Sequence, residues 1–313
     1  MASMRDIKRR KGSIQSTQQI TKAMKLVSTV KLQRAKQNAE KSQTYFHCMY
    51  NTVHSILRRT QNLEHKYLKS GESGKKAVIV ITSNRGLAGG YNSNVIKLIT
   101  QGELANEDLA IYAIGKKGKD ALAKNYEIRA DYSDVIEDPV YAEAMKISKE
   151  VLSAFENGEI SEIYLAYTGF KNTVVHIPTL LKLLPVEVSE EEEAAQEDDP
   201  VMMNFEPEDE EALNLLIPKY ITSLIYGGMI EAIASENGAR MQAMDAATSN
   251  AEEMIEDLTL LYNRARQGSI TQELTEIIAG ANKQIKSRKD ERNGRFRKNH
   301  SGYRCRSGCE VYR

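Results

Sequence analysis

The sequence predicts a mixed α/β chain: two long terminal helices pair as an antiparallel coiled coil, and an α/β domain with a mainly parallel sheet is inserted between them. Three observations carry this. No proline occurs before Pro139, and Gly12 is the only glycine in the first sixty residues. From about Glu208 to Ala281 the apolar spacing is again helical. In the middle, β-branched runs alternate with helix-like stretches. A chain of 313 residues and 35.2 kDa can bury a substantial core. With 41% hydrophobic and 27% charged residues it is neither disordered as a whole nor a membrane-spanning chain. The longest clean apolar stretch lies around Ala77–Ile81, far short of the roughly 20 residues a spanning helix needs.

The N-terminal helix, 1–60, opens with Ser3 and Asp6 in capping-box spacing. Ile7, Ile14, Ile20, Met24 and Val27 mark a narrow apolar stripe on an otherwise basic rod. Eleven Lys/Arg stand against Asp6 and Glu40 in residues 1–41, a net charge of +9. A helix of this length runs about 80 Å, too far for its own domain to cover, so it needs a second long helix. Residues 208–282 supply it, through Leu213, Leu216, Tyr220, Leu224, Met241, Met244, Met254, Ile255, Leu258, Leu261, Tyr262, Ile270, Leu274, Ile277 and Ile278. Pro218 is expected to kink this helix or begin a turn of it. Gly227, Gly228 and Gly238 permit close approach or a bend.

The inserted domain covers 75–188. Its expected strands are Lys76–Thr82, Leu109–Gly115, Ile160–Tyr167 and Val174–Ile177. Its expected helices are Ser93–Leu104, Lys117–Asn125 and one running from after Pro139 to about Glu156. An acidic surface loop, 189–207, follows; residues 186–211 hold thirteen acids and no Lys or Arg. Residues 283–313 are basic again.

Little in the chain suggests catalysis. Ser83–Gly90 lies between a strand and a helix, where amides can cradle phosphate, yet it matches neither G-x-G-x-x-G nor the P-loop. A structural turn or a partner-contact loop is the better reading. His47, His54, His65, His176 and His300 show no ligand pattern, and His300, Cys305 and Cys309 fall short of a four-ligand zinc site. Three cysteines form no disulfide framework, which favours a reducing compartment. The basic rod can meet nucleic acid or an acidic protein surface, and the coiled-coil geometry favours protein.

Four strings point further. Ile20–Ser28 (ITKAMKLVS), Ile81–Asn92 (ITSNRGLAGGYN), Ser235–Met244 (SENGARMQAM) and Tyr262–Leu274 (YNRARQGSITQEL) resemble, in order, the signature segments of the γ subunit of bacterial F-type ATP synthases. The one departure is Asn84, where an acid is expected. The resemblance implies a Rossmann-like inserted domain and a central-stalk rotor without catalytic group, cofactor or metal. It couples rotation of a c ring, driven by protons or sodium, to ATP synthesis or hydrolysis in the hexamer of α and β subunits. The implied partners are those subunits, the ε subunit and the c ring, with no nucleic acid and no insertion into the bilayer. The implied place is peripheral, on the cytoplasmic face of the cell membrane. Carried over by motif, Arg266, Gln267 and Thr271 are expected to meet the catch loop of a β subunit, with Lys22, Met24 and Lys25 on the facing part of the N-terminal helix. Phe205 and Glu206 match the region that touches the c ring. The competing readings are a basic coiled-coil nucleic-acid binder and a nucleotide-binding α/β enzyme.

The resemblance stops near Asn282. The tail is expected to be disordered or to arise from a shifted reading frame. Codons permitted by Lys298–Arg313, shifted by one nucleotide, read KITQVIGAGVDVRFT, which is similar to the opening strand of an ATP synthase β subunit.

Overall fold

Helix α1 (Met4–Arg59) opens on a reciprocal cap. The Asp6 amide donates to Ser3 Oγ at 3.3 Å, and that hydroxyl donates to Asp6 Oδ2 at 2.9 Å. In the computed structural model, residues 3–59, 65–70, 74–105, 107–137, 139–186 and 209–300 are described. After α1 come β1 (Lys75–Ile81), α2 (Tyr91–Thr100), β2 (Leu109–Ile114), α3 (Lys116–Leu122), β3 (Glu127–Asp131), a 3-10 turn (Ser133–Glu137), α4 (Tyr141–Glu156), β4 (Ile160–Phe170) and β5 (His176–Leu184). The last helix is α5 (Asp209–His300).

The sheet order is β3-β2-β1-β4-β5; the first four strands are parallel and β5 runs antiparallel to β4. Both faces are covered, which is why β1 and β2 read as unbroken apolar runs. Val78, Val80, Ile111 and Ala113 meet Val95 and Ile99 of α2 and Leu122 of α3. Ala77, Ile79, Ile81, Tyr112 and Ile114 turn the other way, toward Ile147 and Val151 of α4, Val53 and Ile56 of α1, and Leu213, Ile217, Ile221 and Ile225 of α5. Each fully buried Val, Ile or Leu contributes about 1.5–3 kcal/mol, so this face binds the terminal helices to the sheet.

Two sheet expectations need correction. The last strand was expected over Val174–Ile177 but spans His176–Leu184, paired with Ile163–Phe170. Pro178 disguised it, and an edge strand tolerates proline where a central one does not. Strand β3 was not foreseen, because Glu127–Asp131 alternates exposed and half-buried residues over only five residues of a polar edge. Helix α5 continues through Pro218 without a turn beginning there, with Leu213, Ile217 and Ile221 buried on either side; that burial offsets the lost amide bond. It also continues to His300, past the end expected at 282, because 283–293 is rich in helix-forming Lys, Arg, Gln and Glu and free of proline. Residues 301–313 lie outside the described residues, as does the acidic loop at 189–207.

The chain divides into two compact units, residues 19–249 and residues 1–18 with 250–313. Both terminal helices contribute to each. Within the larger unit they run antiparallel: Thr21 Oγ1 is 2.8 Å from Thr248 Oγ1, Lys25 Nζ donates to Asp245 Oδ1 at 2.6 Å, and Leu32 and Ala35 pack on Ala234. Between residues 19 and 40 the buried positions of α1 are Thr21, Ser28, Leu32 and Ala35, a 3.5-residue repeat. The apolar stripe expected from Ile20 and Val27 is therefore wrong in phase. Ile20 is 61% and Val27 58% exposed. Small and polar side chains share this seam with Leu32, while Ile20 and Val27 face outward. In the smaller unit, Gln18 Nε2 donates to Glu252 Oε1 at 2.9 Å, and Ala251 and Leu258 are buried.

Candidate interaction surfaces

The turn after β1 is held from several sides. Ser83 N and Oγ both donate to Asn92 Oδ1, at 2.9 and 3.0 Å. Asn84 Oδ1 accepts the Lys116 amide at the start of α3 (3.0 Å), while its Nδ2 donates to the Ser133 carbonyl (2.8 Å). A carboxylate could accept the first bond but could not donate the second. That gives Asn84 a structural reason for standing where an acid was expected. Leu87, at φ 64° and 63% exposed, forms the projecting tip.

Helix α5 grips the same turn. Arg240 Nη2 lies 2.7 Å from Glu236 Oε1 and donates to the carbonyls of Arg85 (3.4 Å) and Gly86 (3.3 Å). Arg240 is only 9% exposed. These contacts hold the Ser83–Gly90 turn against α5. Sequence reasoning quoted Glu236 and Arg240 in a motif but missed their role. Opposite charges four apart in a largely apolar, small-residue stretch were the available signal.

Gly227 and Gly228 of α5 mark close approach. A Cβ on Gly228 would stand 2.9 Å from Leu165 Cδ2, and one on Gly227 would be 3.3 Å from the Phe46 ring. Beside them a largely apolar cavity of about 690 Å³ lies among Phe46, Tyr167, Phe170, Tyr220 and Glu231. Burial raises the Glu231 carboxyl above its ordinary value, partly opposed by the bond it accepts from the Phe170 amide. A carboxyl whose folded-state pKa is raised loses stability as the pH climbs from its unfolded value to its folded one, and the whole cost is present above the latter. Glu231→Gln keeps an acceptor and removes the charge. It is expected to raise the thermal midpoint at pH 8, with the gain vanishing toward pH 4, as read by circular dichroism melts.

Of the expected contact residues, Lys22 is exposed and Met24 half-buried. Met24 lines a groove of about 720 Å³ with Ile20, Val27 and Leu87, edged by Lys31 and Arg34. Lys25 is already bonded to Asp245. All three belong to the larger unit. Arg266, Gln267 and Thr271 belong to the smaller unit, each exposed on α5, where Thr271 Oγ1 donates back to the Gln267 carbonyl at 2.9 Å. Every described side chain from Ile270 to Lys286 is exposed, Ile270, Leu274, Ile277, Ile278 and Ile285 included. Phe205 and Glu206 lie outside the described residues. So do Cys305, Cys309 and the side chains of His47, His54 and His300. Among the described residues no cluster of three metal-ligating side chains occurs, and no helix is long and apolar enough to cross a membrane.

Comparison with known proteins places this arrangement. The family model described as ATP synthase matches residues 3–283. The ATP synthase gamma chain of Lachnoclostridium phytofermentans is 64% identical over 291 residues, covering 90% of this chain and 99% of that one. The sodium ion specific gamma chain of Acetobacterium woodii is 40% identical, covering 89% and 98%. The fold is shared with a chain of the central stalk and c-ring of Tetrahymena thermophila mitochondrial ATP synthase, at 24% identity and TM-score 0.56, covering 73% of this chain and 99% of that one. Identity over nearly the whole length of the gamma chains, with the same central-stalk fold, leaves one assignment: the chain belongs to the ATP synthase family, as a γ chain.

Proposed function

We infer that this chain is the central-stalk rotor subunit of an ion-translocating ATP synthase, itself non-catalytic, coupling c-ring rotation to nucleotide turnover in the hexamer of α and β subunits. The supporting observation is the 64% identity to a gamma chain over 99% of that chain's length. The exposed apolar residues of α5 beyond Ile270 fit the reading, since a bare helix carrying them gains by entering a protein sleeve. The ε subunit and c ring are its further partners, Phe205 and Glu206 its contact with the ring. Its place is peripheral, at the cytoplasmic face of the cell membrane.

The mechanism is transmission without chemistry. One charge crossing the membrane yields about 2.3 kcal/mol per 100 mV, so several must cross for each ATP. An asymmetric shaft passes that work on by favouring, in each β subunit in turn, one conformation of different nucleotide affinity. Arg266, Gln267 and Thr271, with Lys22, Met24 and Lys25, are the contacts toward the catch loop of a β subunit. Exposed basic groups against an acidic loop attract over about a Debye length without locking, which suits a surface that must slip.

The test is purification of the native complex with mass identification of its chains, alongside the Arg266→Ala/Gln267→Ala variant. The α, β and ε subunits and the c ring should co-purify. Both substitutions keep a good helix former, so the fold should survive. A charge-assisted hydrogen bond is worth about 1.5–3 kcal/mol when shielded, so assembly or coupled synthesis should fall by roughly ten-fold or more. Nucleic acid as the co-purifying partner, or unchanged assembly and coupling in the variant, would count against this reading.

A further inference from the structure

The cavity beside Gly227 and Gly228 lies wholly within the larger unit, between α1, the β4–β5 pair and α5. Transmission of torque makes no use of it. At about 690 Å³ it falls within the roughly 300–1,000 Å³ of small-molecule sites, and its lining is likewise mostly apolar with few polar groups. Aromatic rings come from three sides: Phe46 of α1, Tyr167 and Phe170 of β4, and Tyr220 of α5.

Glu231 of α5 stands among these rings, half-buried. Its Oε2 accepts the Phe170 amide at 3.4 Å, whereas Oε1 has no partner among the described residues and stays open to water. Among the described residues no cation pairs with this carboxylate; burial and the single amide bond set its pKa. A carboxylate drawn out of water ordinarily has a cation beside it, because an unpaired charge there is costly. Lys36 is the cation of the lining, and it lays Nζ over the Phe170 ring instead, 5.2 Å from the centroid. Glu40, exposed on α1, forms no ion pair among the described residues either. The lining therefore sets one positive charge against two negative ones, a net −1 when all three are ionised.

Aromatic faces attract a cation, and a carboxylate beside them supplies the counter-charge. An anion would meet those faces and two carboxylates, and a neutral molecule would leave Glu231 unpaired. We propose that this cavity binds a small apolar monocation, a primary amine on an aromatic or alkyl body, with its ammonium on Glu231 Oε1 and its body among Phe46, Tyr167, Phe170 and Tyr220. The site stands apart from the rotor reading and does not rest on it. An occupant touches α1, β4 and α5 at once, so binding ties both terminal helices to the sheet.

Isothermal titration of the full chain at pH 8 with 4-phenylbutylamine, 4-phenylbutanol and 4-phenylbutyrate tests this, since the three share one body and differ in head group. The amine should bind saturably, one per chain, about ten-fold or more tighter than the alcohol, with the acid weakest. Glu231→Gln should bring the amine down to the affinity of the alcohol and leave the alcohol unchanged. That variant is expected to be the more stable one at this pH, so misfolding does not account for such a loss. Lys36→Met keeps the apolar stem and frees the Phe170 face, so it should tighten the amine and not the alcohol. The proposal is overturned by no saturable binding of the amine, by an alcohol or acid bound as tightly as the amine, or by an amine preference that survives in Glu231→Gln.

Discussion

Arg240→Leu is expected to destabilise the larger unit by about 3–5 kcal/mol, the loss typical of removing one partner from a buried ion pair. The arginine side chain is 11% exposed and that of Glu236 14%, so the carboxylate left behind cannot simply return to water. The Arg85 and Gly86 carbonyls lose a donor at the same time. Leucine retains most of the apolar contact of the arginine stem, which keeps packing loss out of the result. Glu236→Gln combined with Arg240→Leu should cost clearly less than the sum of the two single changes, since the double variant strands no charge. Urea unfolding followed by circular dichroism gives the energies, and amide exchange of 83–95 locates the effect. A loss below about 1 kcal/mol, with protection of the turn unchanged, would show that the pair does not hold the turn to α5.

The consequence for a rotor is specific. The Ser83–Gly90 turn joins the inserted domain to α5 through charges and carbonyls rather than through a flexible apolar patch. Hydrogen bonds have narrow angular tolerance, so they resist relative twist where apolar contacts would slide. The shaft seam combines the same device with close packing: Thr21 on Thr248 and Lys25 on Asp245. An exposed ion pair such as Lys25–Asp245 adds little stability, about 0–1 kcal/mol. The value of both contacts lies in fixing which residue stands opposite which.

Burial explains what was legible beforehand. Strands β1, β2 and β4 are apolar on both faces and announced themselves as runs, and α4 is bounded by Pro139 and Gly158. The N-terminal helix followed from the scarcity of glycine and proline, and the C-terminal one from its apolar spacing. The seam did not follow, because a search for apolar spacing finds Ile20 and Val27 and passes over Thr21, Ser28 and Ala35. Hydrophobic periodicity assumes that the buried face is the greasy one. Close helix pairing reverses that where backbones must approach. Strands β3 and β5 were lost or misplaced because edge strands carry half a pattern, and Pro178 broke what remained. Motif resemblance found the Ser83–Gly90 turn but said nothing of what holds it. The carbonyls that Arg240 reaches are 154 and 155 residues away in sequence.

Gly115→Ala should be the most damaging small substitution in the inserted domain, costing several kcal/mol. At φ 112° and ψ 136° the residue occupies backbone space that side chains rarely enter, worth about 1–3 kcal/mol of strain. An ideal Cβ there would stand 2.0 Å from the Thr82 carbonyl oxygen, so the ends of β1 and β2 must separate, adding about 1–3 kcal/mol more. Separation strains the Thr82 amide bond to the Ile114 carbonyl (2.8 Å) and the Thr82 Oγ1 bond from the Gly118 amide (2.8 Å). Two comparisons isolate the cause. Gly158 also has a positive φ, 75°, but nothing lies within 4 Å of its would-be Cβ, so Gly158→Ala should cost only the conformational part, about 1–2 kcal/mol. Gly118→Ala would collide with the Thr82 side chain at 2.7 Å rather than with backbone. Thr82→Ala should therefore partly rescue Gly118→Ala and leave Gly115→Ala unrescued, because the carbonyl oxygen remains. Thermal melts of the five variants read all of this. Equal losses in Gly115→Ala and Gly158→Ala would reduce the effect to backbone strain alone, and rescue of Gly115→Ala by Thr82→Ala would refute the carbonyl clash.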